Sequence, residues 1–190
     1  SSLSMIFQCR YVYQYLIFFT VFVVECSSHE NIVSVRQVQN DSPVILRIRK
    51  DRTAIHSLLY PIAFEFKKNG KKEIYYGENS YFAKNENICP GTAGCYLRVG
   101  DKDRYLTYSY RKFDGKIKYV IDKNDTIKEF VSVYYKKMIR EKKDTIHVSL
   151  KEFNNHFKYI IDNFFEGDSI YLHFHDHKRW TDVPLRVSFN

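Results

Sequence analysis

The chain has 190 residues, 44% apolar and 17% aromatic, with a formal net charge of +8 and a pI near 9.2. That apolar content excludes a disordered chain, and a domain of this length buries about 70% of its unfolded surface, enough for a core without covalent staples. The basic balance favours anionic partners.

In chain order, Met5 is followed by "IFQCRYVYQ", the apolar run Tyr15–Val24 and the polar "ECSSHE". This reads as a secretory signal peptide over residues 1–26, with residues 1–4 upstream or non-native and Val24 and Cys26 set to direct cleavage before Ser27. A signal anchor is the alternative, but a span needs about 20 apolar residues, so no transmembrane segment is expected in the mature chain. Residues 27–190 then form one domain of a secreted protein. Cleavage leaves Cys89 and Cys95, and the intervening Pro and Gly residues of "CPGTAGC" suit a short disulfide ring, contributing roughly 2 kcal/mol. The sequons at Asn40 and Asn124 are candidate glycosylation sites, the first weakened by the following Pro43.

From Ile32 to Tyr119 the apolar residues alternate. Val44, Leu46 and Ile48 share one face of a strand, as do Ile62, Phe64 and Phe66. The Asn-Gly of "KNGK" predicts a hairpin between Phe64–Lys67 and Lys72–Tyr76, and the Asp-Gly of "FDGK" a second one joining "YLTYSY" to "KIKYVI". The period then becomes helical. Ile127, Phe130, Val131, Tyr134 and Met138 form one stripe; Leu150, Phe153, Phe157, Ile160, Ile161 and Phe164 form another. Thr126 with Glu129 and Ser149 with Glu152 are capping boxes, so helices are predicted over about 125–141 and 149–165. "TIHV", "SIYLHFH" and "PLRVSF" are strands. The expected architecture is α+β: a mostly antiparallel sheet built from hairpins, with two amphipathic helices packed on one face.

Three histidines, His173, His175 and His177, stand at alternate positions. On a strand they share a side, and a His-x-His pair can hold zinc. The outer two lie about 13 Å apart on an extended strand, so one ion takes all three only if the chain turns at Asp176. His147 is a possible further ligand. The alternative is a strand with a polar, solvated face that binds no cofactor. No nucleophile elbow, phosphate loop or metalloprotease helix is present.

Positive charge concentrates in "KKNGKK" (Lys67, Lys68, Lys71, Lys72) and in "YYKKMIREKK" (Lys136, Lys137, Arg140), the latter beside Tyr134 and Tyr135. Trp180, the single tryptophan, either caps the core or anchors a partner. The expected function is a secreted, non-enzymatic binding protein, effector- or antigen-like, that engages an extracellular protein or an anionic glycan or cell surface through a basic, tyrosine-rich face. Nucleic acid is disfavoured outside the cell. A secreted zinc enzyme centred on His173, His175 and His177 is the alternative.

Overall fold

The alternating β-branched and aromatic residues do form strands, and the computed structural model describes residues 32–83, 93–106, 110–121 and 127–188. In chain order these are β1 (Val33–Val38), β2 (Val44–Ile48), β3 (Ile55–Lys68), β4 (Ile74–Phe82), β5 (Ala93–Leu97), β6 (Tyr105–Leu106) and β7 (Tyr110–Val120). Then come α1 (Ile127–Glu141), β8 (Thr145–Val148), α2 (Leu150–Phe165), β9 (Ser169–His175) and β10 (Trp180–Arg186). The fold is α+β with antiparallel sheets. The helices start within two residues of the expected positions, and Ser149 Oγ accepts the Glu152 N–H at 3.2 Å, one half of the predicted capping box. Thr126, the signal segment, Cys89 and Asn124 lie outside the described residues.

The strands divide between two sheets. The first runs β5-β7-β3-β2-β8, with β1 also on β3; the second runs β10-β9-β4-β6. β3 is the spine of the first. One of its edges is taken by β7 from Ser57 to Lys67, and the other by β2 at Ile55–Leu59 and β1 at Ala63–Lys68. On that second edge neither strand reaches Tyr60, Pro61 or Ile62. Pro61, with no N–H to contribute, falls in the gap, which is where a proline is tolerated in an interior strand. The chain between β1 and β2 bows outward there, and Asn40 fills the space: its Nδ2 donates to Ile62 O at 2.8 Å and its Oδ1 accepts the Ser42 N–H at 3.0 Å. The side-chain nitrogen that glycosylation would modify is therefore buried and committed to the backbone, and a glycan on Asn40 would displace this plug.

Both predicted hairpins are corrected. Gly70 does turn with φ of +83°, but β3 has no free edge to receive β4, so the chain crosses to the second sheet, where β4 pairs with β9. Asp114 and Gly115 lie inside β7, opposite Ala63 and Ile62. Gly115 serves close approach: a Cβ there would stand 2.6 Å from Leu97 Cδ2 and 2.7 Å from Tyr96 O on β5.

The two sheets meet through aromatic rings. Phe66 of β3 lies 4.8 Å from Phe113 in its own sheet, and 5.2 Å from Phe174 and 5.7 Å from Tyr76 in the other. These rings are buried, each stabilising the fold by about 2–3 kcal/mol. Toward the other end of β3, Tyr60 meets Phe153 of α2, and Tyr119 of β7 meets Phe165. Val131, Tyr134 and Met138 of α1 are buried, Tyr134 lying against Phe153 and Phe157. Tyr134 thus belongs to the core, not to the tyrosine-rich surface expected there. Tyr135 is half-buried and donates to Arg52 O at 3.0 Å.

Cys95 is buried with a free thiol, and burial pushes its pKa up to about 12. No disulfide is formed among the described residues. No helix among them is long and apolar enough to cross a membrane.

Gly115→Ala is expected to lower stability by about 1–3 kcal/mol, because the backbone oxygen of Tyr96 gives way less easily than a side chain. Gly70→Ser, with open space around Cα but a left-handed backbone, is expected to cost about 1 kcal/mol. Urea unfolding of both variants checks the order.

Candidate functional site

The outward face of the second sheet carries the histidine strand. Burial along β9 alternates: Ile170, Leu172 and Phe174 point into the core, while Tyr171, His173 and His175 line the other side. Cross-strand register extends that side over four strands. Tyr105 of β6 faces Tyr75 of β4, Tyr75 faces His175, and His175 faces Trp180 of β10. Successive ring centroids are 5.1, 4.8 and 4.8 Å apart, a continuous aromatic row across the sheet. Trp180, 63% exposed, does not cap the core. Its indole rests on Gly77, where a Cβ would come 2.8 Å from Cζ3, and the β4–β9 register shifts at this glycine. The glycine makes room for the indole, and a bulge at such a position re-aims side chains on the sheet surface.

One step along the strands lies a polar row. His173 Nδ1 is 2.8 Å from Asp182 Oδ1 on β10, and its Nε2 is 3.0 Å from Ser80 Oγ on β4. Because a carboxylate only accepts, the neutral ring donates from Nδ1 and accepts the serine hydroxyl at Nε2. That is the connectivity of a nucleophile relay. Glu78 stands directly opposite His173 in the register. The row acts as a tie across three strands.

His173 keeps apart from His175 and His177, whose ring centroids are 5.8 Å from one another. His173 is held between Ser80 and Asp182. His175 Nδ1 accepts the His177 N–H at 3.3 Å, and His177, past the turn with φ of +68°, places its Nε2 3.8 Å from Glu73 Oε2. His147 is on β8 in the first sheet. No group of three or more His, Cys, Asp or Glu that could hold a metal occurs among the described residues. The alternation places His173 and His175 on one side of β9, and His177 follows beyond the turn.

The β9–β10 turn brings in the basic residues. Asp176 is buried, its Oδ1 accepting the N–H of Lys178 at 3.2 Å and of Arg179 at 3.1 Å. Its Oδ2 lies 3.5 Å from Lys72 Nζ and 4.0 Å from Arg179 Nε. Burial acts to raise the Asp176 pKa, but these N–H groups and the Lys72 ammonium outweigh it and hold the carboxyl below its ordinary 3.8. One carboxylate thus clamps the "KKNGKK" segment against the "DHKRW" turn, joining two features about a hundred residues apart. Lys71, Lys72, Lys178 and Arg179 are exposed around the clamp, next in the chain to Trp180. Lys67 and Lys68 close β3 ahead of it. Lys136, Lys137 and Arg140 are exposed on α1, with Arg140 3.8 Å from Glu141.

Tyr75, Tyr105, Ser80 and Asp182 escape sequence reasoning because only strand pairing across large sequence separations makes them neighbours. The sole local signal is the glycine at 77 in the interior of a strand. No family model, curated protein or solved structure matches the chain.

A double-mutant cycle of His173→Ala and Asp182→Ala in urea is expected to give a coupling of about 0.5–1 kcal/mol; zero would mean that the ring is simply solvated. NMR titration is expected to place the Asp176 carboxyl below 3.8. Because its folded-state pKa is depressed, this group's contribution to stability is complete above the unfolded value and vanishes as pH falls through the folded one. Asp176→Asn should abolish that part of the acid dependence.

Proposed function

We propose that the chain is an exported, non-enzymatic binding protein that engages an acidic glycan of a cell surface at the edge where the basic segment meets the aromatic row. The apolar leader supports export, and the clamp supports the binding reading. Asp176 gathers Lys72 and Arg179, with Lys71 and Lys178 beside them, at one end of a row of rings of which Trp180 and Tyr105 are exposed.

The physical case is one of division of labour. Exposed ammonium and guanidinium groups attract sulfates and carboxylates over a Debye length of about 8–10 Å and set the on-rate. A tryptophan on a rigid strand offers a flat apolar surface for the body of a sugar at small entropic cost. His175 and Tyr75 continue that surface into the sheet. The carboxylate that organises the cations is one charge against the four of Lys71, Lys72, Lys178 and Arg179, so the edge stays positive.

Retention on heparin tests this directly. Lys71→Glu/Lys72→Glu and Lys178→Glu/Arg179→Glu are each expected to weaken binding about tenfold or more at physiological salt. Lys136→Glu/Lys137→Glu on α1 is expected to have a smaller effect, and Trp180→Ala to weaken binding without changing its salt dependence. Equal losses from every lysine pair would indicate non-specific attraction, and retention unchanged in the first two variants would sink the proposal, leaving an extracellular protein as the partner to seek.

A further inference from the structure

A second basic site lies on the first sheet, away from the residues of the clamp. The outward surface of β7 above Gly115 forms a cavity of about 440 Å³, within the range of small-molecule sites. Four cationic side chains line it: Arg98, Arg111, Lys112 and Lys116. Two of them are matched by acids. Arg111 pairs with Asp103, and Lys112 lies 3.7 Å from Asp114. Arg98 and Lys116 have no acidic partner among the described residues. Asp114 is engaged from two directions, since its carbonyl also accepts the Arg98 N–H at 2.8 Å.

The Lys116 ammonium is pressed from several sides. Burial, and after it the neighbouring guanidinium groups of Arg98 and Arg47, lower its pKa from the ordinary value. Like charges gathered in a partly desolvated place oppose folding unless an anion joins them. The remaining wall supplies hydrogen-bonding groups without charge. The Asn40 plug orients the turn that carries Ser42, and His147 reaches the same cavity from β8.

We propose that this cavity binds a phosphate or sulfate monoester carried on a sugar-sized body. The guanidinium fork of Arg98 and the Lys116 ammonium would take the tetrahedral oxyanion, and Ser42 and His147 would complete its hydrogen bonds. The volume exceeds what a bare tetrahedral ion fills, which leaves room for the body of a sugar. The inference does not rest on the heparin-binding reading, since none of its residues belongs to the clamp.

Calorimetric titration of the full chain with a hexose phosphate, a sulfated hexosamine, inorganic phosphate and inorganic sulfate tests it. At least one ester is expected to bind more tightly than either inorganic ion, and the better of the two identifies the source of the oxyanion. Arg98→Met and Lys116→Met should each weaken that binding about tenfold or more, while Lys116→Arg, which keeps the charge, retains most of it. Lys72→Met and Lys136→Met should leave it unchanged, which separates this site from the clamp. Affinity that is the same in wild type and in the Arg98→Met/Lys116→Met double variant would overturn the proposal. So would the absence of binding by both esters, or binding of the inorganic ions alone.

Discussion

A strand has two edges, and in β3 both are spent. β7 occupies one along eleven residues, while β1 and β2 share the other, interrupted at Tyr60, Pro61 and Ile62. The next strand in sequence therefore has nowhere to pair within the first sheet. β4 founds a second one instead, and β9 and β10 join it after the helices. The placement of the histidine strand, the exposure of its outer side and the meeting of two remote basic segments all descend from that exclusion. Had β4 folded back on β3, the tip at Gly70 would end a simple hairpin and Lys72 would have no Asp176 to meet.

This explains which features the sequence discloses. Periodicity reports what each segment does by itself, so the face-sharing of Val44, Leu46 and Ile48, the inward side of β9 and both helices are readable. Pairing is a competition between segments, and the Asn-Gly and Asp-Gly rules describe only the turn. At Gly70 the turn forms but leads elsewhere. At Gly115 the same dipeptide grammar hides a different demand, the approach of Leu97 and Tyr96 on β5. Tyr134 shows the converse: its lysine neighbours suggest a surface, yet helical spacing from Val131 to Met138 carries it inward. Trp180 reads either way in sequence, and only Gly77 on another strand decides for the outside.

The histidines illustrate how a polar residue on a strand finds its partner. Sequence spacing puts His173 and His175 on one side of a strand, and one ion takes His177 as well only if the chain turns. A sheet offers an alternative at every step, since the residue opposite on the next strand stands about 5 Å away. His173 takes Asp182 and Ser80, His175 takes two rings, and His177 turns toward Glu73. Each choice satisfies ring nitrogens or ring faces locally. Together they knit β4, β9 and β10, which hold the aromatic row rigid.

The charge excess is arranged by the same economy of partners. Most carboxylates near cations are used in pairs, such as Glu65 with Arg36 and Asp103 with Arg111. Asp176 is shared by two cations, which leaves the surrounding lysines and arginine looking outward with a fixed geometry. Above Gly115 the pairing stops short by two charges. A folded chain that must hold like charges close together gains most from an ion that enters between them, because relief of their repulsion adds to the new attraction. The break between β1 and β2 contributes here as well. The bow beside Pro61 carries Ser42 outside the ladder, and Asn40 fixes it there, so an interruption in strand pairing becomes one wall of a cavity.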